Sequence, residues 1–220
     1  MNDALIPIDP STEDTQQRYR EMMQLYDAAI RAVRMKLEVL DSEFRVRYAR
    51  NPIHHIDARL KSPSSIAEKL RRKGLPPTLD AAEENLTDIA GVRIICNYLE
   101  DIYRVAELLS RQRDVELVRR RDYIQEPKDS GYRSLHLILR VPVFLSSHTE
   151  LVPVEVQIRT IAMDFWATLE HQLRYKSDQE ATRQLRRRLR QCAEDSARLD
   201  EEMQRIYTEL NGGQFPDAPQ

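Results

Sequence analysis

The chain has 220 residues, of which 41% are hydrophobic and 32% charged, with 34 Lys and Arg against 36 Asp and Glu for a net charge of −2. That balance excludes a protein built for non-specific nucleic-acid binding, which shows a clear basic excess, and no apolar run approaches the about eighteen residues that a membrane span requires. Two cysteines, Cys96 and Cys192, are too few for a disulfide scaffold and lack zinc-site spacing, so both read as buried small hydrophobes.

Residues 1–14 lack the basic-then-apolar order of a signal peptide and read as a flexible lead-in, which places the chain in the cytoplasm. Over residues 15–44 the apolar side chains Tyr19, Met22, Tyr26, Ala29, Val33, Leu37, Leu40 and Phe44 recur every three or four positions, which predicts one long amphipathic helix. Asn51 and Pro52 end that pattern, and HHID at 54–57 reads as a loop or the beginning of a strand. Residues 59–73, RLKSPSSIAEKLRRK, hold six basic side chains against the single acidic Glu68. Such an island in a near-neutral chain suits a compact polyanion such as a nucleotide triphosphate, or it is a solvated helix face. Within it Ser62 and Pro63 have the chemistry of an N-cap and first helical residue, so a short helix should run through Arg72 and close at Gly74 before Pro76 and Pro77.

Beyond this the pattern predicts a strand at 91–98, a helix at 101–112, and strands at 115–123, 132–143 and 151–158. A helix at 161–175 follows. Another at 181–210 repeats Leu185, Leu189, Cys192, Ser196, Leu199, Met203, Ile206 and Leu210 at heptad positions, a seam that needs a partner: the amino-terminal helix of the same chain or another subunit. Residues 211–220 read as a flexible tail. The arrangement is one α+β domain over 15–210, a sheet core at about 52–175 with flanking helices at 15–44 and 181–210.

Three further clusters put polar residues beside apolar elements. Asp88 precedes the strand IAGVRII, where Gly91 permits close approach of a ligand and Arg93 projects two residues on. Glu155 stands inside the apolar run LVPVEVQI, where an unpaired carboxylate is costly and calls for a partner such as a metal ion or Arg159. Two carboxylates on adjacent strands suit a shared Mg²⁺ in phosphoryl transfer; a capping aspartate and a buried Glu–Arg pair would look the same in sequence. In DYIQEPKDSGYRSLH, a turn at 127–131 leads into a strand that should place Tyr132, Ser134 and His136 on one face.

Taken in order, ARLKSPSSIAEKLRRKG, DIAGVRIIC, RDYIQEPKDSGYRSLH and EVQIRTIAMDFWATLEHQLRYK resemble the synthetase domain of the RelA/SpoT family, and in particular the small alarmone synthetases of the RelQ type. The resemblance implies a mixed β-sheet flanked by helices, related to nucleotidyltransferases, in a cytosolic enzyme that often forms a homotetramer. It implies transfer of pyrophosphate from ATP to the 3′-hydroxyl of GDP or GTP, with AMP leaving. Asp88 and Glu155 would be the Mg²⁺-associated carboxylates, Glu155 also helping to activate the acceptor hydroxyl. Arg59 and Arg93 would sandwich adenine, and Lys61, Ser65 and Lys69 would hold the ATP phosphates. Tyr132 would stack on guanine, with Lys128 and His136 at the acceptor's phosphates. The length leaves no room for the hydrolase domain of long bifunctional members, so synthesis without hydrolysis is expected. Alternatives within reach of the same residues are a pyrophosphokinase acting on adenine nucleotides or tRNA, and a silent regulator that binds nucleotide or single-stranded RNA. Where product-stimulated relatives present an aromatic ring and small polar residues, this chain has His54, His55 and Asp57, with Glu38 on the first helix. The added acidic charge predicts little activation by pppGpp.

Overall fold

A computed structural model describes residues 13–48, 50–176 and 182–211. The chain order is α1 (Glu13–Arg47), β1 (Ile53–Leu60), α2 (Pro63–Arg72), α3 (Leu79–Asn85), β2 (Ala90–Cys96), α4 (Leu99–Ser110), β3 (Glu116–Asp122), β4 (Leu135–Phe144), β5 (Thr149–Thr160), α5 (Ile161–Lys176) and α6 (Thr182–Leu210). Most of the expected lead-in and tail lies outside the described residues; Glu13 and Asp14, expected within the lead-in, belong to α1.

One five-stranded sheet, in the order β1-β2-β5-β4-β3, organises the molecule. Strands β2 and β5 run parallel and every other pair is antiparallel, so the fold is α+β with a mixed sheet. Period-two alternation gives the sheet two unlike faces. Val92, Ile94, Leu135, Leu137, Leu139, Val154, Val156 and Ile158 are buried on one of them. Helix α1 covers that face with Met22, Tyr26, Ala29, Val33 and Leu37, and α4 adds Ile102, Val105 and Leu109. The opposite face carries Arg93, His136, Glu155, Gln157 and Arg159.

The α2 cap forms as the sequence suggests: Ser62 Oγ accepts from Ser65 N at 3.3 Å, Pro63 opens the helix, and Gly74 ends it with φ of 73°. Strand β1 and helix α3 were not expected as full elements. β1 is an edge strand with little burial, so HHID carries no apolar alternation; α3 is seven residues long and is started by the side chain of Thr78, which accepts from Ala81 N. Tyr132 and Ser134 lie before β4 and not within it, because Gly131 turns the chain at φ of 90°. Ser134 is fully buried and donates to Ile158 O at 3.2 Å, so it does not share an open face with Tyr132 and His136.

Helix α6 packs on α5 and α4. Its buried residues are Ala193 and Asp200, not the heptad seam; Leu185, Leu199, Met203, Ile206 and Leu210 are exposed, as is Cys192, whereas Cys96 is buried as expected. The seam therefore finds no cover within the described residues.

Asp200 has a thermodynamic consequence. It is 7% exposed and accepts from Thr160 Oγ1 at 2.7 Å. Burial pushes its carboxyl up to about 6 despite that bond and the nearby Arg133. A folded-state value above the ordinary one means that the group favours folding when protonated, and that this contribution is lost as pH rises through about 6. Asp200→Asn keeps an acceptor for Thr160 and is expected to raise Tm by ~2–4 °C at pH 8 but not near pH 4. An equal gain at both pH values, or a loss at pH 8, would contradict the assignment.

Candidate active site

Cross-strand register lines up two rows of side chains on the open face. One row runs Asp57, Arg93, Gln157, His136 and Arg121 across all five strands; the next runs Arg59, Gly91, Glu155, Ile138 and Arg119. Over β1, β2 and β5 these rows form an open cleft of about 120 Å³, lined by Asp57, Arg59, Lys61, Asp88, Arg93 and Glu155 among others. Gly91 lies on its floor between Arg59 and Glu155. Its φ is not positive, and an added Cβ would meet only Arg59 O at an ordinary 3.6 Å. Neither backbone nor packing requires glycine there, and the bare position leaves the floor of the cleft low.

Asp88, in the loop before β2, receives Lys61 Nζ at 2.6 Å and Lys69 Nζ at 2.5 Å, both on Oδ2. Burial alone would raise its carboxyl, but the two ammonium groups outweigh burial and hold it below the ordinary value. Its other oxygen, Oδ1, is buried with no hydrogen-bond partner, and Arg93 Nε shares that condition. Buried polar atoms of this kind are costly unless something else meets them. Arg93 and Arg159 both approach Asp164 of α5, at 3.5 and 3.1 Å. Ser65, exposed in the first turn of α2, makes a 2.9 Å bond with Ser62 Oγ and does not line the cleft.

Glu155 stands on the central strand and belongs to both halves of the site. It neither pairs with Arg159 nor lacks a partner. His136 Nδ1 lies 3.4 Å from Oε1, and Gln157 Nε2 donates to Oε2 at 2.7 Å. Burial pushes this carboxyl up, yet His136, Gln157 and the more distant Lys69 together bring it down to about 2. A closed ring of hydrogen bonds follows. Arg159 Nη2 donates to Gln157 Oε1 (2.9 Å) and to Tyr132 Oη (2.6 Å), and Tyr132 Oη lies 2.8 Å from His136 Nε2. The ring fixes the rotamers of four side chains, His136, Tyr132, Arg159 and Gln157, around one carboxylate.

Beyond β5 the site turns aromatic. Tyr123, Tyr132 and His136 meet edge to face with centroids 5.1 to 6.1 Å apart, and Lys128 Nζ lies 4.5 and 4.7 Å from the two tyrosine centroids. Arg121, paired with His136 across the strands, donates to Tyr123 Oη at 3.3 Å. The structure thus brings together the residues expected at the acceptor, and it adds Tyr123, Arg121 and Gln157, which sequence reasoning did not select. Gln157 was within reach, since it stands two residues after Glu155 on the same face. Arg121 and Tyr123 depend on the β3–β4 register, which no local pattern reveals.

The match to the family described as the region found in RelA / SpoT proteins spans residues 58–180, which includes the cleft residues other than Asp57, the central carboxylate and the aromatic group. The chain belongs to the RelA/SpoT family. Among relatives of this family, it is 44% identical to the GTP pyrophosphokinase YwaC of Bacillus subtilis (strain 168), over 88% of this chain and 92% of that protein. It is 40% identical to the GTP pyrophosphokinase YjbM of the same organism, over 86% and 88% respectively. In three dimensions it is similar to the crystal structure of small alarmone synthetase 1 from Bacillus subtilis bound to its product pppGpp. That comparison has a TM-score of 0.82 and 39% identity, and covers 88% of this chain and 98% of the other. The mixed sheet matches that solved relative, which superposes over 98% of its length.

Proposed function

We propose that this chain is a (p)ppGpp synthetase, a GTP diphosphokinase that moves the pyrophosphate of ATP onto the 3′-hydroxyl of GDP or GTP and releases AMP. The observation that carries the reading is the position of Glu155. It sits on the central strand, where a cation-lined cleft on one side meets an aromatic and imidazole group on the other. A group transferred between two nucleotides must pass between two such half-sites, and in-line transfer depends on positioning and charge more than on covalent chemistry.

In this reading the ATP half is built from Arg59 and Arg93 about the adenine and from Lys61 and Lys69 at the phosphates, and Ser65, outside the cleft, would reach only a phosphate that extends towards the start of α2. Delocalised guanidinium planes suit stacking on a purine, and compact ammonium groups suit phosphate oxygens. The acceptor half uses Tyr132 for the base and Lys128, His136 and Arg121 for phosphate charge. The residues also fit a Mg²⁺ ion. Asp88 Oδ1 is buried without a partner in the cleft that Glu155 lines, and Mg²⁺ needs only one or two carboxylates when phosphates and water complete its shell. When bound there, the ion would neutralise charge that develops on the transferring phosphates. Lys61 and Lys69 hold the Asp88 carboxylate ionised, and the ring through Arg159 holds Glu155 oriented toward the boundary between the half-sites. Among the described residues no helix is long and apolar enough to cross a membrane; the nucleotide substrates favour a cytoplasmic enzyme. The uncovered seam of α6 supports a homo-oligomer, in keeping with a tetramer.

Purified protein supplied with ATP, Mg²⁺ and, in separate reactions, GDP, GTP, ATP alone or tRNA tests this. Product is expected with the guanine nucleotides, and added pppGpp should change the rate little, because Asp57 and Glu38 add acidic charge where product-stimulated relatives bind the alarmone. Product only with tRNA or adenine nucleotides would move the enzyme to a different acceptor class. The acceptor assignment has its own test. Tyr132→Ala is expected to weaken GDP binding by about tenfold, the scale of one base-stacking contact, and to leave ATP binding unchanged, while Tyr132→Phe retains most of the affinity. Equal weakening for both nucleotides would make Tyr132 a packing residue.

A further inference from the structure

The loop that carries Lys128 and Tyr132 closes on itself, with Lys128 N donating to Tyr132 O at 3.2 Å and Gly131 N to Lys128 O at 2.8 Å. A loop tied in this way shifts as a unit, so the surface that seats its backbone sets the position of both side chains. Helix α6 provides that surface. A Cβ on Gly131 would lie 2.6 Å from Ala193 Cβ, with Arg190 Cα and O at 3.7 and 3.8 Å. The two small residues face each other at the closest approach of loop and helix. Tyr132 continues the contact by packing on Trp166, Ala167 and Ala193.

The helix is itself held in place. Trp166 Nε1 donates to Leu189 O at 2.8 Å, Ser196 Oγ to Ala162 O at 3.2 Å, and Thr160 Oγ1 to Asp200 at the end of β5. Three bonds thus tie α6 to the strand and helix that also carry Glu155, Arg159 and Asp164. The cation-lined cleft, by contrast, is lined from β1, β2, β5 and the loops that carry Lys61 and Asp88, and none of its lining residues takes part in the Gly131–Ala193 contact.

We infer that Ala193 is a positioning residue for the acceptor: its single methyl group lets the Gly131 backbone seat against α6, and this seat fixes Lys128 and Tyr132 together. Ala193 is 5% exposed and acts through the loop, without touching substrate. The inference rests on the acceptor role given above to Lys128 and Tyr132. A larger side chain at 193 presses on the Gly131 backbone, because the facing position is already a glycine with no side chain to give way and the small pocket beside it has room for little more than a water molecule. Displacing the loop by a fraction of an ångström moves both acceptor-binding groups while leaving the ATP half in place.

Full-length Ala193→Val and Ala193→Leu, with Gln191→Leu as a control on the exposed side of the same turn, would be compared with the unmodified protein. The readouts are KM for GDP, KM for ATP, and Kd for a non-hydrolysable ATP analogue. The KM for GDP is expected to rise with side-chain volume, by about tenfold for Ala193→Leu, with the analogue's Kd unchanged and Gln191→Leu indistinguishable from the unmodified protein. Parallel loss of GDP and ATP-analogue affinity would reduce α6 to general support, and an unchanged KM for GDP would show that the loop is not seated by it; either result overturns the inference. Should Ala193→Leu fail to fold, Ala193→Val decides by the same criteria. Failure of the unmodified protein to use any guanine acceptor would instead overturn the functional reading, which keeps the two outcomes apart.

Discussion

Asp88→Asn is expected to lower turnover by roughly 10³-fold while leaving affinity for an ATP analogue intact or higher. The two halves of that result have separate causes. Turnover falls because the amide cannot supply the anionic oxygen that Oδ1 presents, buried and unpartnered, to a cation at the transferring phosphates. Affinity survives because Lys61 and Lys69, which share Asp88 Oδ2, lose an internal counter-charge and become freer to meet phosphate oxygens. A purely structural ion-pair centre behaves otherwise. Removing one partner of a buried pair leaves uncompensated charge and costs stability, so a variant that unfolds, or one that binds the analogue poorly and turns over normally, would contradict the account. Kd from calorimetry alongside single-turnover rates separates these outcomes.

Glu155→Gln is expected to be nearly as damaging, a loss of about 10²- to 10³-fold in kcat with KM for both nucleotides little changed. Holding its carboxyl at about 2 makes Glu155 an anion throughout the physiological range and a weak proton acceptor, since an efficient general base has a pKa near the working pH. Its contribution therefore lies in charge and orientation at the boundary between half-sites unless substrate changes its partners. The same depression sets a stability window. The unpaired value is 4.5 and the folded one about 2, so the stabilising contribution is present above pH ~4.5 and is lost as pH falls through about 2. The Tm gap between the unmodified protein and Glu155→Gln should be widest above pH 5 and close towards pH 2. A gap that widens on acidification would have the sign wrong.

Much of the fold was legible because local patterns carried it. The spacing of Met22, Tyr26, Ala29, Val33 and Leu37 encodes α1 and names the side chains that cover the sheet. Ser62, Pro63 and Gly74 mark both ends of α2 through capping chemistry that acts within a few residues. What escaped was non-local or weakly patterned. Strand β1 is half solvated and reads IHHIDARL, so its identity as a strand rests on pairing with β2 and not on its own composition. The extension of β4 back to Tyr132 failed because Gly131 leaves the extended region, and that turn meets α6, some sixty positions further on, at a close backbone approach.

The site divides the same way. Asp88, Glu155, Lys61 and Lys69 could be named from residue type and the resemblance, and the structure brings all four to one cleft region. Partnership was another matter. Sequence offered Arg159 or a metal for Glu155, whereas the β4–β5 register delivers His136 and Gln157 and turns Arg159 towards Tyr132 and Asp164. A one-residue slip in that register would have sent His136 to the apolar face, so only the paired strands decide it. The α6 seam misled in a simpler way: heptad spacing identifies an apolar stripe but not which stripe the chain itself buries, and here Ala193 and Ala197, outside the seam, face inward together with the seam's Ser196.

The central claim is that the whole pyrophosphate of ATP passes to a guanine nucleotide across Glu155. Incubating the protein with Mg²⁺, GDP and ATP labelled at the β-phosphorus tests it most directly. The account predicts that the label appears in guanosine tetraphosphate, attached at the 3′-oxygen, in step with one AMP for each product formed. Label recovered in ADP or free phosphate, with no AMP released, would contradict it.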